Sequence, residues 1–212
     1  MSLALDPQRI SAHLRRIHPV TPDAAEALAV WTRTLAKWSR AQRLVGWRTG
    51  ADLLDKGLAD CWIDVALLQE AALSGPIVDV GSGSGLPGLI LAAAFPDRPI
   101  HLVESRRKRV AFMREAARAM GRPHVQVHHG RSDAIRGTLA LDAPIFVSRA
   151  FASPGDALAE AERWDAQAAI VASSIDKVEA EESWPPNGWR QGHGNSRQTR
   201  GASRHDLLLR VR

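Results

Sequence analysis

The chain has 212 residues, 45% hydrophobic and 24% charged, which fits one globular domain with room for a small appendage. No apolar run approaches the ~20 residues of a membrane span, and residues 1–10 lack the apolar core of a secretion signal. The single cysteine, Cys61, excludes an internal disulfide framework and fits a reducing cytoplasm. The net charge of +5 is unevenly placed: residues 187–212 hold Arg190, Arg197, Arg200, Arg204, Arg210 and Arg212 against the single acid Asp206, so the rest of the chain is neutral. A polyanion such as RNA is one reading of this surplus. Composition is the other, because arginine outnumbers lysine 24 to 4 along the whole chain.

Residues 1–74 read as a helical extension. Thr21-Pro22-Asp23 is a helix start, with Thr21 as N-cap and Pro22 in the first helical position. Ala27, Leu28, Trp31, Leu35 and Trp38 then recur at helical spacing. A second helix is predicted over about 52–72, with Leu54, Leu58, Cys61, Trp62, Val65 and Leu68 on one face. Ser74-Gly75-Pro76 ends it.

From residue 75 the rhythm changes. Short apolar runs at 77–80, 100–104, 125–128, 145–148 and 168–172 read as strands, separated by helices over 86–95, 107–120 and 156–164. This alternation predicts an α/β fold with a mostly parallel, seven-stranded sheet covered by helices on both faces. Residues 188–201 read as a polar loop, and 205–212 as a last strand. Residues 75–212 would thus be the ligand-binding domain.

Asp79-Val80-Gly81-Ser82-Gly83-Ser84-Gly85 follows the first strand and opens a helix. In a parallel sheet the ligand lies beyond the carboxyl ends of the strands, and glycines let it approach the backbone. Residues 83–88 match the dinucleotide pattern G-x-G-x-x-G, but the tight turn already begins at Gly81. An acid at the strand end suits a cationic ligand and opposes a pyrophosphate. Asp79 with Gly81 and Gly83 instead resembles the first motif of class I methyltransferases, whose cofactor is S-adenosylmethionine. Glu104 ends the second strand, where a carboxylate accepts hydrogen bonds from ribose hydroxyls. A non-catalytic cofactor-binding protein and an NAD-dependent oxidoreductase are the competing readings.

Residues 79–88, and Leu86-Pro87-Gly88 in particular, are similar to the signature of the glucose-inhibited division protein B family. These are bacterial Rossmann-like methyltransferases acting on nitrogen 7 of a guanine in 16S ribosomal RNA. Val103-Glu104-Ser105 with Lys108-Arg109 and Phe112, Gly130-Arg131-Ser132-Asp133, and Ser148-Arg149-Ala150-Phe151-Ala152 match further blocks in order. The resemblance covers about residues 24–178, with an echo at Arg204-His205. It implies that Gly81 and Leu86 line the cofactor, that Ser132 and Asp133 sit beside its adenine, and that Arg149 lies at the pocket rim facing RNA. It further implies a 16S ribosomal RNA or small-subunit precursor as partner. A monomer in the cytoplasm is expected, and no metal, since no His/Cys cluster has zinc spacing. The chain departs from the pattern on the substrate side. Arg43-Leu44-Val45 stands for an Asn-Leu-Thr-like segment, Lys56-Gly57 for Arg-His, Asp60-Cys61 for Asp-Ser, and Ser173-Ser174 for Lys-Gly. A diverged methyltransferase of another RNA or a small molecule is the alternative these leave open.

Guanine nitrogen 7 has a lone pair and no proton to lose, so its methylation needs positioning and no general base. The sequence agrees: no Asn/Asp-Pro-Pro-aromatic stretch follows the fourth strand, and Cys61 falls on a predicted core face. Adjacent His128 and His129 point to opposite faces of a strand and read as structural, with His129 near the cofactor. Trp31, Trp38, Trp47 and Trp62 read as core packing rather than base-stacking residues.

Overall fold

A computed structural model describes residues 3–149, 153–174, 185–191, 197–198 and 203–210. Its first two helices, α1 (Pro7–Leu14) and α2 (Pro22–Trp38), begin alike. Asp6 and Thr21, in extended backbone, accept the amide hydrogens of Arg9 at 2.7 Å and Ala24 at 3.1 Å, and a proline follows each cap. The sequence reading anticipated α2 and missed α1. The helix expected over 52–72 comprises α3 (Gly50–Leu53), a π-helical segment (Leu54–Ala59) and α4 (Asp60–Glu70). All of α4 from Asp60 to Leu68 is buried.

Five consecutive strands form the parallel body of the sheet: β1 (Ile77–Val80), β2 (Ile100–Glu104), β3 (Val125–His129), β4 (Ile145–Arg149) and β5 (Ala168–Ser174). Their order is β3-β2-β1-β4-β5. Four helices alternate with them: α5 (Gly88–Ala94), α6 (Arg107–Ala119), the short α7 (Ser132–Arg136) and α8 (Pro154–Arg163). The two faces bury separate clusters. Ile77, Ile100 and Leu102 pack with Leu89 of α5, Phe112 of α6 and the N-terminal Trp31 and Trp62. Val78, Val80 and Phe146 pack with Ala157, Leu158 and Ala161 of α8. Alternate residues of β1 thus enter opposite cores, as a strand covered on both sides requires. Each fully buried Leu or Ile contributes about 1.5–3 kcal/mol.

The expected count of seven strands and the expected loop over 188–201 both need correction. Beyond the five parallel strands lie three segments: β6 (Trp189–Gln191), β7 (Arg197–Gln198) and β8 (Ser203–Arg210). β8 runs antiparallel to β5 along one edge, and β6 and β7 pair antiparallel with its other edge. Trp189, 5% exposed, anchors β6 in the α8-side cluster.

Arg122 ties the helical layer together. Its guanidinium reaches the carbonyl oxygens of Ala92 at the end of α5 and Met120 at the end of α6, and it pairs with Asp23 at the start of α2. A buried cation at two helix carboxyl ends is favourably placed against both helix dipoles.

Candidate active site

The chain leaves β1 for β2 on one side and returns to β4 on the other, so β1 and β4 border the switch point where ligands bind in such sheets. After Val80 the backbone folds against the end of β2: the amides of Gly81 and Ser82 donate to the Val103 carbonyl at 2.9 and 3.2 Å. Gly81 has a φ of +78°, and a Cβ there would meet nothing within 4 Å. Only glycine adopts this turn without strain, and any side chain would project into the open space before the sheet. At Gly88 the constraint is different: a Cβ would collide with Leu102 and lie 2.7 Å from Asp79 Oδ2.

Asp79 sits beneath the loop, 1% exposed. Its Oδ2 accepts the Gly88 amide hydrogen at 3.0 Å, while its buried Oδ1 has no hydrogen-bond partner. Burial pushes its carboxyl up to about 7, against the pull of the Gly88 amide. Glu104, 5% exposed, accepts the Gly83 amide hydrogen on Oε2 at 3.0 Å and the Arg106 amide hydrogen on Oε1 at 2.8 Å. Arg109 approaches the same carboxylate at 3.5 Å.

In front of these groups opens a cleft of about 500 Å³, within the ~300–1,000 Å³ of small-molecule sites. Gly81, Glu104, Ser132 and Asp133 line it, as expected of a shared site. The Ser132 hydroxyl is engaged, accepting from Trp164 Nε1 at 2.8 Å and donating to Glu160. The Asp133 carboxylate is exposed. Leu86 belongs to the core behind the loop, and Asp79 and Gly83 also lie off the cleft wall.

Arg149 does not line this cleft. Its guanidinium turns towards the helical layer, pairing with Asp60, reaching the Lys56 carbonyl at 2.9 Å and touching Cys61 Sγ at 3.2 Å. Burial pushes the Cys61 thiol far up, so it stays protonated. His129 borders the cleft only indirectly, its ring meeting the Ser105 carbonyl at 3.1 Å. Of the basic tail, Arg190 is exposed on β6. Arg197 and Arg204 lie on β7 and β8, with side chains outside the described residues, as is all of Arg200.

A family model described as rRNA small subunit methyltransferase G (GidB) matches residues 24–172. The chain belongs to this family. Its members include the ribosomal RNA small subunit methyltransferase G of Methylorubrum extorquens strain PA1, 37% identical over 71% of this chain and 70% of that one. The protein of the same name from Granulibacter bethesdensis is 38% identical over 63% and 59%. Among solved structures, a variant of MtNAS in complex with S-adenosylmethionine superposes with a TM-score of 0.56 at 15% identity, covering 89% of this chain and 79% of that one. The protein yhhF of Escherichia coli gives 0.57 at 14% identity, covering 72% and 86%. The GidB family consists of S-adenosylmethionine-dependent methyltransferases, and the cleft suits that cofactor: an open glycine backbone, and a carboxylate at the end of β2.

The sequence reading missed part of this GidB-family cleft. Arg136 of α7 and Glu160 and Arg163 of α8 complete the wall. Glu160 takes both arginines, at 3.4 and 2.9 Å, so it offsets part of their charge. Nothing in the spacing of these residues marks them. Only the fold brings α8 to the block after β3.

Proposed function

We propose that this family member transfers the methyl group of S-adenosylmethionine to nitrogen 7 of a guanine in 16S ribosomal RNA. The observation that supports this best is coincidence of position: every residue of the cleft wall falls inside the segment that matches the family model. Gly81 passes the ligand by its backbone, Glu104 accepts from the ribose hydroxyls, and Ser132 and Asp133 flank the adenine. Asp79 holds the loop from beneath through Gly88 and places negative charge under the cationic end of the ligand. When bound, the cofactor supplies an electrophilic methyl group on a sulfonium. The nucleophile brings its own lone pair, so the chain's task is to position and desolvate. No base is asked of the site, and the buried, protonated Cys61 is suited to packing rather than to covalent catalysis.

The test is methylation of small subunits from cells lacking the gene, followed by nuclease digestion and mass spectrometry. The expected product is 7-methylguanosine at one position of 16S RNA, absent when Gly81→Arg replaces the wild-type chain. A protein that binds S-adenosylhomocysteine but forms no 7-methylguanosine on free RNA or subunits would overturn the reading.

A further inference from the structure

The loop from Ser39 to Arg48, with Ala36 of α2 and Leu3, lines a second cleft of about 740 Å³. Arg40, Arg43 and Arg48 line it together with Trp47, and no acidic residue does. All three arginines are exposed. Among the described residues none of their guanidiniums makes an ion pair or hydrogen bond, unlike the engaged Arg122 and Arg149.

Trp47 is half-buried. Its inner edge rests on Gly57 of the π-helical segment: a Cβ at Gly57 would lie 3.0 Å from Trp47 Cζ3 and 3.2 Å from Cη2. The glycine that departs from the family pattern thus makes room for the indole. The same segment meets the carboxyl end of β4, because the Lys56 carbonyl accepts from Arg149 there. β4 is the neighbour of β1, which carries the glycine loop. The π-helical segment and β4 thus link Trp47 to the strand that carries the glycine loop.

We propose that this cleft is a subsite for a single-stranded stretch of the RNA substrate, with the Trp47 ring stacking on a base and Arg40, Arg43 and Arg48 holding its phosphates. Unpaired cations around a partly exposed aromatic ring are what a single strand requires: phosphates for the charges, and a π-face of any base for the ring. A duplex keeps its bases stacked on one another and offers Trp47 none. Among the described residues, none of β6, β7 or β8 lines this cleft. The inference rests on the ribosomal RNA reading above.

The experiment measures binding of a labelled 12-nucleotide single-stranded RNA, and of a duplex of equal length, across a salt series. The wild-type chain should prefer the single strand, its affinity falling linearly in log salt. In Arg40→Gln/Arg43→Gln/Arg48→Gln the slope should flatten by roughly 2, at about 0.7 per lost phosphate contact. Trp47→Leu should weaken the single strand at least about fivefold, the lower end of one lost base stack, and Trp47→Phe should restore most of it. Affinity for S-adenosylhomocysteine should be unchanged in all three. Trp47 also packs against the core, so if Trp47→Leu lowers the melting temperature, the arginine variant decides. Wild-type binding with an unaltered slope in the arginine variant overturns the subsite and leaves the methyltransferase reading standing. A wild-type chain that neither binds RNA nor methylates ribosomal RNA overturns both.

Discussion

The Asp79 carboxylate accepts the Gly88 amide hydrogen at 3.0 Å, joining the end of β1 to the first residue of α5 across the whole glycine loop. The bond closes the loop from below while Gly81 leaves it open from above. A single buried acid thus shapes a ligand surface that it does not itself line.

That arrangement makes Asp79 the pH-sensitive point of the loop. Its carboxyl is raised from 3.8 to about 7. A raised value means stability fully present below the unfolded value and lost as pH rises through the folded one. Asp79→Asn keeps an acceptor for Gly88 and removes the titration. Relative to wild type it should gain stability between pH 4 and 7, by at most about 1.4 kcal/mol per pH unit. Urea denaturation at several pH values in that window measures this. Parallel curves for the two proteins would show that Asp79 stays ionised throughout.

The cationic cofactor should act in the opposite direction. Ionised Asp79 attracts it, so wild-type affinity for S-adenosylhomocysteine, which shares the ammonium group, should rise from pH 6 to 7.5. Asp79→Asn should bind with little pH dependence over that range. Calorimetry in both proteins tests this, and equal slopes would separate Asp79 from the ligand.

Glu104 has two duties, since it binds the Gly83 amide as well as facing the cleft. Glu104→Ala should cost about 1–3 kcal/mol of cofactor affinity, the typical loss of hydrogen bonds to a charged group. A 2′-deoxyribose analogue should lose less against the mutant than against wild type. Strict additivity would confine Glu104 to holding the loop.

The stacked pair His101–His128 gives a second pH dependence, of the other sign. His101 Nδ1 and His128 Nε2 are 3.1 Å apart. Burial, then the neighbouring ring, lowers His101 from 6.5 to about 4. Stability from this pair is present above 6.5 and lost as pH falls towards 4. His101→Leu should flatten the acid limb of the stability profile, as measured by thermal melts from pH 4 to 6.5.

Legibility from sequence followed burial. β1 and β2 matched expectation residue for residue because each is a short apolar run closed by turn residues. The glycine turn after β1 and the acid at the end of β2 are legible because each stands where an apolar run stops. α1 was missed because only Ile10 and Leu14 of its eight residues face the core. β6 was hidden in a polar, arginine-bearing stretch, where Trp189 was the one signal of a buried segment. The resemblance implies Arg149 at the pocket rim facing RNA, whereas its guanidinium turns to the helical layer. Its partner Asp60 comes from a helix made far earlier in the chain, and no local spacing reveals such a pair.

β8 also has a consequence for how the molecule is made. It lies between β5 and the earlier-synthesised β6, so the order of the sheet is not the order of translation. Until residues 203–210 leave the ribosome, β5 keeps a bare edge and Trp189 has no strand to hold its backbone in the sheet. Closure of the far side must wait for β8, which enters as an interior wedge rather than as a border.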